Sequence, residues 1–129
     1  MNYFFAKTLH IGFDEAIQKV SEKLKEKGFG IVSEIFVSDI LKNKTGVELQ
    51  PYKILGACSP FHALKAISTE PHIGLMLPCN VVVRQIEENL TEISAIDPVA
   101  SMMAIENPKL SDVALEVQHL LKEVIEGLQ

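Results

Sequence analysis

The residues best suited to chemistry in this chain are two cysteines in unusual settings. Cys58 closes the run Lys53-Ile-Leu-Gly-Ala-Cys-Ser-Pro, and Cys79 sits in Leu77-Pro-Cys-Asn-Val-Val-Val. Thiolates are strong nucleophiles and soft metal ligands. Cys58 directly precedes Ser59-Pro60, which reads as an N-cap followed by proline at the first helical position. The unpaired N–H groups of such a helix start carry partial positive charge, a setting that activates a thiol. Cys79 follows Pro78 inside an apolar run, where proline implies a bulge or an unpaired edge that aims the sulfur into a cavity. The plainer alternative for both is packing, since free cysteine is among the most buried residue types. A reversible disulfide requires Cα atoms within about 4.4–6.8 Å. The long separation in sequence is unlike the C-x-x-C redox motif.

Other side chains extend the candidate set. Cys58, His62, His72 and Cys79 read C-x3-H-x9-H-x6-C, a thiolate and imidazole group that zinc accepts in tetrahedral geometry, although the spacing matches no common zinc module. Glu70, just before Pro71, is a candidate general base if it is buried beside the cysteines. Asn80 could orient a ligand through its amide or satisfy backbone groups around Pro78. The helix start at Ser59 offers free N–H groups to a small anion. Met102 and Met103 are soft side chains that more often fill a core. His10 and His119 fall in no pattern. No G-x-S-x-G, H-E-x-x-H, Walker or dinucleotide fingerprint is present, and Gly28-Phe-Gly precedes a strand where a phosphate loop would precede a helix.

The elements that must position these residues follow from periodicity. Residues 3–8 read as an aromatic-rich strand. Phe13, Ile17, Val20 and Leu24 recur at helical spacing after Gly12, with Asp14 and Glu15 in the first turn and Gly28 as the stop. A strand over 30–37, a short helix over 38–45 and a strand over 52–57 come next. A helix then begins at Ser59-Pro60 and runs through Phe61, Leu64, Ala66 and Ile67, ending at Pro71. Residues 74–86 contain a fourth strand, strongest over 81–86, which turns at Glu87-Glu-Asn-Leu into an antiparallel partner over 91–96, with Asn89 suited to a left-handed turn position. Leu110, Val113, Ala114, Val117, Leu120, Leu121, Val124, Ile125 and Leu128 form one apolar stripe on a final helix. The pattern predicts a single two-layer α+β domain, with helices packed on a mixed or antiparallel sheet of about five strands.

Bulk properties narrow the function. The chain has 129 residues, 47% of them hydrophobic and 22% charged, with net charge −5, which suits one compact domain and excludes disorder. No basic cluster supports nucleic-acid binding, and the acidic balance argues against an anionic membrane surface. The absence of tryptophan and the scarcity of aromatic residues leave no base-stacking platform. No window reaches the length of a membrane helix, and the start lacks a signal-peptide pattern. Two cysteines do not make a disulfide framework, so a cytoplasmic protein with reduced thiols is expected. Val32, Ile35 and Val37 distribute over both faces of their strand, which points to cover by a second copy of the chain.

Tyr52-Lys-Ile-Leu-Gly-Ala-Cys-Ser-Pro, Leu77-Pro-Cys-Asn-Val-Val-Val and Asp97-Pro98 together resemble a small bacterial and archaeal family, the domain of unknown function 302. The similarity spans nearly the whole chain. Cys58, Pro60, Glu70, Pro78, Cys79 and Asn80 match its motif positions, while its usual motif has no histidine at the place of His62. The resemblance implies a compact α+β domain, a dimer, and two cysteine motifs close to a shared cleft; no activity comes with the family. Three functions fit the residues. The first is a binding module holding a small ligand or soft metal in a cleft lined by Cys58, Cys79, Asn80 and Glu70. The second is a thiol-dependent enzyme or redox sensor with Cys58 as nucleophile and Cys79 as resolving partner. The third is a structural or oligomerising domain. The cofactor, if any, is unknown.

Overall fold

A computed structural model describes residues 2–129. Five strands, β1 (Phe4–Leu9), β2 (Gly30–Phe36), β3 (Tyr52–Cys58), β4 (Cys79–Glu87) and β5 (Leu90–Ile96), form one antiparallel sheet in the order β1-β5-β4-β3-β2. Helices α1 (Phe13–Glu26), α2 (Val37–Thr45), α3 (Pro60–Thr69), α4 (Pro98–Ser101) and α5 (Pro108–Glu126) connect or follow them, and a 3-10 helix spans Pro71–Met76. The α+β architecture expected from the pattern is therefore present, with a purely antiparallel sheet.

The period-2 alternation of β4 fixes which face is covered. Cys79, Val81 and Val83 are buried, whereas Asn80 and Arg84 are exposed and Val82 is half-buried. Register places Ala57 opposite Cys79, Leu55 opposite Val81, and Ile93 opposite Val83, so these side chains share one face. Against that face pack Ala16, Val20 and Leu24 of α1 and the apolar stripe of α5, giving one continuous core. Leu120 is the only member of the expected stripe that is merely packed against this core; the other eight are buried.

Local signals explain the element ends. Gly28 has φ 86°, Phe29 N–H donates to Leu24 O (2.9 Å) and Gly28 N–H to Lys25 O (3.1 Å). This is the Schellman closure, with Leu24 and Phe29 buried together as its usual apolar contact. Asn89 takes φ 56° at the β4–β5 turn, as its type allows. Two short elements were not anticipated, the 3-10 helix and α4. Both begin at a proline after an extended residue, Glu70-Pro71 and Asp97-Pro98, and both are too short for periodicity to reveal them.

Pro78 departs from expectation. It causes no bulge and lies on no edge: β4 is flanked by β3 and β5, and its ladder with β3 runs unbroken from Tyr52–Arg84 to Ala57–Cys79. The proline stands just before the strand, after a cis Leu77–Pro78 peptide bond, so its missing N–H removes no ladder bond.

Candidate functional site

Where β3 and β4 reach the start of α3 and the first half of α5, the core is not filled. A cavity of about 280 Å³ lies there. Its apolar wall includes Ala57 and Cys79 from the sheet, Ala66 from α3, and Val113, Ala114 and Val117 from α5. The cause is visible in the residue types. Alanines occupy four lining positions, 57, 63, 66 and 114, whereas Leu24, Leu55, Ile93 and Leu121 fill the neighbouring core. Small side chains on rigid elements leave room that close packing would otherwise remove.

Gly56 sets the shape of this end of the sheet. A Cβ at that position would stand 2.7 Å from Pro78 Cγ and would also collide with the Ser33 hydroxyl. Only glycine lets the Pro78 ring settle against β3, and Pro78 itself lines the cavity.

One rim of the cavity is polar. Ser59 and His62 both line it. Ser59 Oγ lies 2.7 Å from His62 Nδ1, and His62 Nε2 lies 2.8 Å from Glu116 Oε2 on α5. A carboxylate only accepts, so Nε2 carries the hydrogen donated to Glu116, and in the neutral ring Nδ1 accepts from the serine hydroxyl. Ser59 does occupy the N-cap position of α3, as expected, yet its side chain makes no capping bond. The hydroxyl is turned to His62. By contrast, Asp97 and Asn107, which also precede prolines, accept from the backbone N–H of Val99 (2.9 Å) and Lys109 (3.1 Å).

Both cysteines are free, and both line this cavity, Cys58 half-buried and Cys79 buried. They do not form the expected pair, because Ala57, not Cys58, stands opposite Cys79 and the adjoining Cys58 faces the other way along β3. Burial, and secondarily the charge of Cys58, push the Cys79 thiol up to about 11. It is therefore protonated at neutral pH, the opposite of what a resolving thiolate needs.

The remaining expected residues lie elsewhere. Asn80 follows Cys79 in a strand, so it points to the opposite, uncovered face, near Tyr52 and Arg84. Glu70 is not a wall of the cavity; it begins the 3-10 helix, with its Oε1 3.5 Å from Asn107 Nδ2 and its Oε2 3.9 Å from His72 Nδ1. The set Cys58, His62, His72 and Cys79 is not assembled. His72 sits on the 3-10 helix with a side chain 90% exposed, and among the described residues no three His, Cys, Asp or Glu side chains converge as a metal group would require. Asp97 is structural: besides capping α4, both its oxygens accept from Gln118 Nε2 at 3.1 Å, which ties α4 to α5. Glu116 carried no expectation. Its only signal in the sequence is a place on α5 between the cavity residues Val113 and Val117, and only the packing of α3 on α5 brings it to His62.

Comparison with known proteins agrees with this fold and leaves the chemistry open. No curated protein matches the chain. The crystal structure of an uncharacterized conserved protein, DUF302, from Bacillus stearothermophilus is similar to it over 100% of both chains, with a TM-score of 0.90 and 26% sequence identity. The model of the domain of unknown function DUF302 matches residues 5–128. By its sequence and its fold alike, the chain belongs to the DUF302 family.

Proposed function

We propose that the protein is a binding module that holds a small, largely apolar molecule in the cavity between β3, β4, α3 and α5. The observation that carries this reading is the alanine-rich, partly open cavity of about 280 Å³ beside the buried core. It exceeds the roughly 150 Å³ apolar cavity that admits benzene. Cys58 and Cys79 serve there as soft wall residues, while Glu70 and Asn80 stand outside. Titration with toluene, followed by methyl-resolved NMR, tests the reading. Saturable shifts are expected at Val113, Val117 and Ala66, and Ala114→Leu, which fills the space, abolishes them. Shifts that never saturate, or that persist unchanged in Ala114→Leu, defeat the proposal.

The β2–α2 surface favours a second element of function, self-association. Every residue of β2 is exposed, with Val32 at 62% and Phe36 at 50%, and β2 is an edge strand. None of α2 is buried, although it carries Ile40 and Leu41, and Val47 and Leu49 follow it exposed. A nine-residue helix has little stability of its own without a packed face. A second copy is the partner that fits. Two β2 edges related by a two-fold axis pair antiparallel, and each copy covers the same apolar row on the other. Sedimentation at high micromolar concentration is expected to show a dimer that Ile35→Lys converts to monomer. A wild-type monomer at that concentration rules out the association. The free thiols and the absence, among the described residues, of a helix long and apolar enough to cross a membrane fit a cytoplasmic setting.

A further inference from the structure

An apolar occupant makes no use of the polar chain at the cavity rim, and the order of that chain is the order of an acyl-transfer site. A hydroxyl donates to an imidazole nitrogen, and the opposite nitrogen donates to a carboxylate. The hydroxyl is free for this role because it does not cap its helix, whereas the side chains of Asp97 and Asn107 cap theirs. Ser59 and His62 line the same cavity as Ala66, Ala114 and Val117. An acyl chain seated among those apolar residues can therefore bring its carbonyl to the Ser59 hydroxyl.

We propose that the chain hydrolyses small apolar carboxylic esters, with Ser59 as nucleophile, His62 as general base and Glu116 as the residue that positions the imidazole. The proposal rests on the cavity being the binding site. Ser59 Oγ bonds to the ester carbonyl carbon as its proton passes to His62 Nδ1. The tetrahedral adduct then breaks its bond to the alcohol oxygen, which leaves with the proton from Nδ1. Water attacks the acyl-serine next and gives a proton to Nδ1. Collapse releases the carboxylic acid and returns that proton to Oγ. The Glu116 carboxylate accepts from Nε2–H and holds the ring with Nδ1 towards Ser59.

Hydrolysis of p-nitrophenyl butyrate and intact-mass analysis after treatment with diisopropyl fluorophosphate test the proposal together. The expected result is one phosphoryl adduct, mapped to Ser59, and turnover that falls at least about 100-fold in Ser59→Ala and in His62→Asn. Glu116→Gln, whose amide oxygen still accepts from Nε2–H, is expected to lower kcat with KM unchanged, and by less than Glu116→Ala, which leaves the ring unpositioned. His10→Asn, an exposed histidine outside the cavity, is expected to leave turnover unchanged and controls for hydrolysis by surface imidazole. The adduct needs no variant, so a misfolded Ser59→Ala does not remove the test. Failure to form an adduct at Ser59, or turnover that survives in folded Ser59→Ala, overturns the proposal. Saturable toluene binding in the same protein would then leave the cavity as a binding site without catalysis, and its absence would remove both.

Discussion

Helix α5 meets two different interiors along one apolar stripe. From Leu121 to Ile125 it is sealed: Leu121 and Val124 are fully buried, and this helix packs on α1, β1 and β5. From Val113 to Val117 the same face borders the cavity, and its residues are slightly less buried. The sealed half is also pinned by charge, since Lys27 Nζ reaches Glu123 Oε2 at 2.6 Å and Lys7 Nζ donates to the carbonyl of Leu128 at 2.6 Å. One half of the helix holds the fold together, and the other leaves space beside a reactive-looking rim. Amphipathic pattern alone does not separate them, because both halves present valine, leucine or alanine at helical spacing.

The largest expected effect comes from the sealed half. Leu121→Ala should cost about 3 kcal/mol in denaturant unfolding, for lost transfer energy plus an unfilled hole. Val117→Ala, whose side chain already faces empty space, should cost about 1 kcal/mol. Equal losses would erase the distinction between the halves.

Next in size is a pH effect at the cavity floor. The Cys79 thiol, raised from 9.0 to about 11, keeps its proton in the folded protein over a range where the unfolded chain loses it. The unfolded state then binds fewer protons, so stability falls as pH rises from about 9 to about 11, by on the order of 2 kcal/mol from this group. Unfolding curves across that range should be flatter for Cys79→Val than for the wild type; identical slopes would show that the site is wetter than its burial implies.

The helix starts give a smaller contrast. Asn107→Ala removes a side-chain cap from α5 and should cost about 1 kcal/mol. Ser59→Ala removes no cap and should cost only a few tenths of a kcal/mol. A Ser59 loss as large as that of Asn107 would show that the hydroxyl supports the fold. Smallest is the acid limb of the Lys27–Glu123 contact. The hydrogen bond and charge of Lys27 hold the Glu123 carboxyl below its usual range, so the stability it contributes is present above that range and is lost as pH falls through the depressed value. Glu123→Gln should remove this increment from acid unfolding curves, and high salt should shrink it in the wild type.

The sequence made legible those features that depend on neighbours along the chain. Strand and helix periods, the Gly28 stop, the Asn89 turn and the Ser59 helix start all rest on contacts a few residues apart. Asn80 could have been excluded from the cavity by strand parity, since it adjoins Cys79 and must face the other way. Glu70 and His72 are close to the cysteines in sequence but not in space, Glu70 lying beside Asn107 and His72 exposed. The Ser59–His62–Glu116 chain illustrates the limit. Its first bond spans one helical turn and is local, but its second joins α3 to α5, and nothing in the pattern around Glu116 distinguishes it from a solvated carboxylate.

Sheet order also governs how the molecule comes apart. Strands β2 to β5 form a meander in which each pairs with its sequence neighbour, whereas β1 joins the far side by pairing with β5, Phe4 opposite Ile96. Bringing those ends together requires closing most of the chain into a loop, an entropic cost that the meander never meets. The amides of β1 should therefore exchange with solvent deuterium sooner than those of β4. Departure of β1 is then an opening that leaves the cavity between β3, β4, α3 and α5 in place.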